Sequence, residues 1–167
     1  MRIPSRAQVD AYCGCRTTRY QRSAGIIAPA LLLGSIVFVL IRWHFLPARI
    51  PSNYNMAGEI TGYSGRWTLV IMPVFGLIND LVLVLVERFP QRWNTGVRVT
   101  ALNRARVFRL TRDMLADLRL ACAAIFGGFA VYQSFQPEHF SGNVSGLLIL
   151  LAAIPIVRYL VRVTRVR

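Results

Sequence analysis

The chain of 167 residues is 54% apolar and only 16% charged, with a mean hydropathy of +0.45. Soluble domains carry about 25% charged residues, so a water-soluble enzyme built around one packed core is excluded. All 20 basic residues are arginine, against 7 acidic ones, for a net charge of +13; without lysine, neither Schiff-base chemistry nor a Walker-type phosphate lysine is available.

Residues 1–23 are polar and hold five arginines together with Cys13 and Cys15. A zinc site needs four ligands and no neighbouring His or Cys completes one, so free thiols are expected in a reducing compartment. The first apolar block, 24–41, has no charge at all. A bilayer-spanning helix needs roughly 20 apolar residues, and this block is too long for a signal-peptide core and lacks a small-residue cleavage site, so it reads as an uncleaved anchor. Residues 42–67 then form a polar loop rich in proline, asparagine and glycine. The second block, 68–86, contains Asn79 and Asp80, and segment 87–114 holds seven arginines.

Within that segment, 98–114 predicts an amphipathic helix with Val99, Leu102, Val107, Leu110 and Met114 near one face. Such a basic helix either lies along the membrane surface or extends the next span, and it can also dock an acidic cytosolic partner. The third block, 115–135, carries Asp117 and Arg119 in its first turns. Its Ala123, Ala124, Gly127 and Gly128 give two small-xxx-small pairs suited to close helix packing, with Cys122 beside them as a small core residue. The fourth, 144–161, contains Pro155 and Arg158; prolines 29, 73 and 155 all fall inside predicted spans, where packed membrane helices tolerate them.

The expected architecture is therefore an all-α integral membrane bundle of four helices forming a single domain over 1–167. Loops 42–67 and 136–143 hold three and no arginines, against five, seven and four in 1–23, 87–114 and the tail from Arg158. Basic residues collect on the cytoplasmic side, which predicts both termini and 87–114 inside and loop 42–67 outside. The arginines also suit anionic lipid headgroups. No nucleic-acid module is visible, so nucleic acid is not an expected partner; a homo-oligomer is compatible with the chain.

Asp80 is the most expensive residue, because an ionised group within a span must be paired, protonated or hydrated. Consecutive helices usually neighbour one another, and at about 1.5 Å per residue Asp80 and Arg119 fall at similar depths. They predict a buried ion pair locking the second and third helices, with proton or ion coupling at Asp80 as the alternative and Asn79 hydrogen-bonding across a helix interface. His44, Glu59, Glu138 and His139 share the outer side and suggest a third reading, a membrane enzyme, but their spacing matches no metal-binding or catalytic motif. No catalytic residue, metal or cofactor is expected.

Loop 42–67 carries the most specific pattern. Pro47 and Pro51 stiffen its entry, Asn53 and Asn55 suit turns, and Gly58, Gly62 and Gly65 permit positive φ. Trp43, Tyr54, Tyr63 and Trp67 can anchor it at the headgroups. The run Leu46-Pro47, Ile50-Pro51, Tyr54-Asn55, Gly58-Glu59, then Gly62-Tyr63 and Arg66, directly after a first membrane helix, resembles the small membrane domain of unknown function at the N-terminus of SdpI-type immunity proteins. The likeness covers about one and a half helices and the loop between them. Asn53 and Thr61 stand where that family usually shows histidine and aspartate, which removes the ionisable groups from the motif. The resemblance implies a non-enzymatic bacterial inner-membrane protein of the immunity or signalling kind. It would bind or sense an extracellular peptide through Pro47, Ile50, Pro51, Tyr54, Asn55, Gly58, Glu59, Gly62, Tyr63 and Arg66, and engage a cytosolic protein partner.

Overall fold

The computed structural model describes residues 3–55, 57–136 and 142–165. Five helices and one hairpin follow in the order α1 (Arg6–Cys13), α2 (Arg19–Ile41), β1 (Arg49–Tyr54), β2 (Ile60–Gly65), α3 (Thr68–Arg88), α4 (Arg104–Gln133) and α5 (Gly142–Thr164). Helices α2 to α5 are each long and apolar enough to cross a membrane, and the chain is a multi-pass membrane protein. Its outward faces are apolar: Ile26, Ile41, Phe75, Leu81 and Leu150 are all exposed, as expected where lipid is the solvent.

The helix starts are set by caps more than by hydropathy. Thr18 accepts a hydrogen bond from the Gln21 backbone N–H at 3.2 Å, while the Gln21 side chain accepts from the Thr18 N–H at 3.1 Å. This reciprocal box starts α2 five residues ahead of the apolar block. Ser5 and Gln8 start α1 in the same way. Gly14 ends α1 at φ +66°, a conformation open to glycine without strain.

Two expectations are corrected. The architecture is not purely α-helical, because loop 42–67 contains the antiparallel pair β1–β2, which pairs Ile50 with Ser64 and Pro51 with Tyr63. The predicted helix over 98–114 begins only at Arg104. Thr100 and Asn103 exchange side-chain-to-backbone bonds at 2.8 and 3.4 Å, a reciprocal box like those that start α1 and α2, which places the entry to the helix here and not at residue 98. From Arg104 onward the basic segment is continuous with the third span, so it extends that span; its 30 residues are about 45 Å long.

Helix α4 is the hub, packing against α2, α3 and α5. Lipid is as apolar as leucine, so close packing and polar contacts must hold the helices together. Ala28, Leu32 and Ala123 form a buried cluster joined by Leu77 and Phe126. Gly127 lies against Ser35 of α2, close enough that an added Cβ would sit 3.2 Å from Oγ. At the arginine-rich end, Val107 of α4 meets Tyr159 and Val163 of α5, with Leu110 and Met114 packed alongside. The Tyr159 hydroxyl donates to the Thr95 carbonyl at 2.8 Å and ties α5 to the connector 89–103. Helices α2, α3 and α5 run through Pro29, Pro73 and Pro155.

At Gly76 α3 packs tightly on its neighbours: an added Cβ would lie 2.5 Å from Leu32 Cδ2 and 2.9 Å from Phe126 Cβ. Gly76→Ala should therefore destabilise the bundle by about 1–3 kcal/mol, the usual cost of overpacking. Gly34→Ala, whose Cβ would meet nothing within 4 Å, should be neutral or slightly stabilising. Thermal unfolding of the two variants in detergent, compared with the parent chain, measures both effects.

Candidate functional site

Polar side chains concentrate at two places, one at each end of the bundle. At the first, the hairpin caps the end where α2 and α3 meet. Its closing turn explains the Asn-x-x-Gly-Glu spacing. The Asn55 side chain accepts from the Glu59 N–H at 2.9 Å and donates to the Glu59 carboxylate at 2.7 Å. The Gly58 N–H donates to the Asn55 carbonyl at 3.0 Å, with Gly58 at φ +82°. Glu59 is thus a turn-closing acceptor on an exposed tip. Gly62 faces Asn53 across the strands: a Cβ there would sit 2.9 Å from the Asn53 amide nitrogen, the mobile end of that side chain.

The hairpin is fastened to the helices at several points. Ile50 is buried with Val39, Leu46, Leu69 and Ala130, spanning the hairpin, α2, α3 and α4. The Tyr54 hydroxyl donates to Gln133 Oε1 at 3.0 Å, and Gln133 Nε2 donates to the Pro51 carbonyl at 3.4 Å. The Arg66 guanidinium lies 4.6 Å from the Trp43 ring centroid, and Trp43 packs on Trp67 at 4.6 Å. Pro51 and Gly58 are buried; Pro47, Asn55, Glu59 and Tyr63 are exposed. Ile50, Pro51, Tyr54 and Arg66 therefore dock the hairpin, Asn55, Gly58 and Gly62 shape it, and the exposed members lie at its surface.

The second concentration is a ladder of charges near the arginine-rich end. Arg119 of α4 makes a two-pronged bond to Asp80 of α3, Nε to Oδ1 at 2.7 Å and Nη2 to Oδ2 at 3.0 Å. One rung outward, Glu87 lies 3.6 Å from Arg112 Nε and 4.0 Å from Arg119 Nη1. Arg112 is almost completely buried and continues the ladder into the N-terminal segment. It donates to Asp10 Oδ1 at 2.8 Å, Thr17 Oγ1 at 2.7 Å and the Cys15 carbonyl at 3.3 Å. Gly25 contributes its carbonyl to Arg119 at 3.4 Å. Nearby, Gln21 donates to Asp113 at 2.7 Å, Tyr20 donates to Asp117, and Arg158 of α5 lies 3.5 Å from Asp117. All four long helices and α1 are tied to this level.

Sequence reasoning paired Asp80 with Arg119 but missed Glu87, Arg112, Asp10 and Thr17. A signal was present: acids 80 and 87 and arginines 112 and 119 are each seven residues apart, two helical turns, and therefore share a face on antiparallel helices. Asn79, adjacent to the pair, has a buried Oδ1 without a hydrogen-bond partner among the described residues, so the expected cross-helix bond is not formed by that atom.

Outside the spans the ladder sets the state of three groups. Burial would push the Asp10 carboxyl up, but the bonds from Arg112 and Thr17 prevail and hold it below the usual carboxylate value. Cys13 and Cys15 are both buried free thiols. A hydrogen bond from Cys13 outweighs burial and, with help from Arg112, lowers the Cys15 thiol to about 6; the same bond, with burial, pushes Cys13 up.

The third constellation is only partly described. His44 is exposed and Glu59 is engaged by Asn55, while Glu138 and His139 lie outside the described residues. Among the described residues, no three His, Cys, Asp or Glu side chains are grouped to hold a metal.

A family model, the domain of unknown function DUF1648, matches residues 30–77. That stretch contains the second half of α2, the whole hairpin and the first half of α3, including its packing glycine, but stops short of Asp80 and of all of α4. No curated protein and no solved structure matches the chain.

Because the Asp10 carboxyl is held low in the folded protein, its contribution to stability is complete above the ordinary carboxylate value near 3.8 and disappears as pH falls through the depressed value. Asp10→Asn should lower the unfolding midpoint at neutral pH, and the gap from the parent chain should narrow steadily below about pH 4. Unfolding scans from pH 7 to pH 2 check this; a gap independent of pH would show that the ionised carboxylate is not the stabilising form.

Proposed function

We propose that this membrane protein acts by binding, with the β1–β2 hairpin as its receptor surface, and that it belongs to the immunity or signalling class of bacterial inner-membrane proteins. The hairpin lies on the extracytoplasmic side, and both termini and the connector 89–103 lie in the cytoplasm, following the arginine distribution. One observation carries the reading. The hairpin is fixed to three helices through Ile50 and Tyr54, while its tip and the Tyr63 side chain stay exposed. A connector needs no such anchoring. A recognition surface gains from it, because a preorganised surface loses less entropy on binding. An exposed aromatic on a rigid frame is also a favoured anchor for a peptide or protein partner.

Within this reading the arginine-rich end transmits or stabilises but does not react. Asp80 has both carboxylate oxygens occupied by one guanidinium, which supports a lock between α3 and α4 over a proton or ion relay. The exposed arginines of α4 offer a cytosolic partner an electrostatic surface.

Two outcomes test the proposal. In intact cells, single cysteines placed at Thr61 and at Asn94 in a cysteine-free background should be labelled by an impermeant maleimide only at the first site; the reverse pattern would overturn the orientation. The variant Tyr63→Ala should insert and melt nearly as the parent chain does. It should nonetheless lose the phenotype that separates parent cells from deletion cells under challenge with secreted toxic peptides. Full retention of that phenotype would refute the hairpin as the binding surface.

A further inference from the structure

The arginine-rich end holds a cavity that the hairpin reading does not use. About 660 Å³ in volume, it lies between the connector 89–103, the start of α4 and the end of α5, and its wall includes Arg98, Arg106 and Arg165 with Thr100 and Leu102. We propose that this cavity is a binding site for a phosphate group, supplied by an anionic phospholipid headgroup.

Charge bookkeeping supports an anion. The chain has 7 acidic residues for 20 arginines. Asp10, Asp80, Glu87 and Asp117 are taken by Arg112, Arg119 and Arg158. Asp113 accepts from Gln21 and Glu59 closes the hairpin turn; Glu138 lies outside the described residues. Among the described residues, Arg98, Arg106 and Arg165 have no carboxylate partner, yet three separate parts of the chain bring them to one concavity. The buried ladder thus consumes the negative charge and leaves this wall positive.

Arginine favours phosphate over a halide, because its planar fork matches two phosphate oxygens at once. The Thr100 hydroxyl adds a neutral donor. Two features favour the lipid source. Leu102, on the cavity wall, is completely exposed, and Val99 beside it is exposed as well. Apolar side chains beside unpaired arginines fit a membrane surface, with the aliphatic groups toward the acyl chains and the guanidinium groups at the phosphates.

The test uses the full chain in nanodiscs of phosphatidylcholine alone or with phosphatidylglycerol, and in detergent with inorganic phosphate. Phosphatidylglycerol should raise the unfolding midpoint and remain bound through native mass spectrometry. The variant Arg98→Gln, Arg106→Gln, Arg165→Gln should bind it about tenfold more weakly or worse, since charge-assisted contacts are lost. The variant Arg16→Gln, Arg22→Gln, Arg109→Gln removes the same charge from exposed sites elsewhere and should retain binding. Equal midpoints in phosphatidylcholine establish that both variants fold. If inorganic phosphate binds in an Arg98/Arg106/Arg165-dependent way while phosphatidylglycerol adds nothing, the phosphate site stands and the lipid source is rejected. Equal loss in both variants, or neither a preference for phosphatidylglycerol over phosphatidylcholine nor binding of inorganic phosphate, would overturn the proposal.

Discussion

The bidentate contact between Asp80 and Arg119 is the interaction on which the arrangement of helices depends. Each charge sits inside a span, where an isolated ion is untenable, and each is tolerable only because the other is within hydrogen-bond distance. Meeting this demand fixes the axial register of α3 against α4. Glu87 and Arg112 then fall two turns further on, and Arg112 in turn brings Asp10, Thr17 and the Cys15 carbonyl onto the end of the bundle. A register error of one residue would rotate both rungs away from their partners.

The same constraint divides the chain into two working ends. At one, negative charge is consumed internally and surplus arginine remains on the surface. At the other, contacts without ion pairs do the joining: Ile50 in an apolar cluster, Tyr54 on Gln133, Arg66 over the Trp43 ring. Helix α4 links the two, since it carries Arg112 in its first third, Arg119 at its middle and Gln133 at its far end. A change in hairpin seating at Gln133 therefore has a rigid element through which to reach the arginine-rich end.

Much of the bundle was legible in the sequence because lipid leaves an unmistakable compositional trace: four apolar blocks became four long helices. The edges were less legible. Apolar runs mark where lipid begins, whereas helices begin where caps form, so Thr18 and Gln21 moved α2 outward and Thr100 and Asn103 delayed α4. The hairpin was read as a compact loop because its strands are short, contain proline and glycine, and are irregular in register. Asp80 and Arg119 stood out as charges within apolar runs. Glu87 and Arg112 did not, since they lie in a stretch dense with arginine where only the matching seven-residue spacing marks them.

A charge-exchange cycle on Asp80 and Arg119 probes the central claim most directly. Unfolding free energies would be measured for Asp80→Arg, Arg119→Asp and the double exchange, in one lipid environment. Each single change leaves two like charges facing one another inside the bundle and should cost about 3–5 kcal/mol, the range for breaking a buried pair. The double exchange restores opposite charges and should recover a large part of that loss. If the double variant were as unstable as the two single losses added together, the contact would not be what sets α3 against α4, and the account built on it would fall.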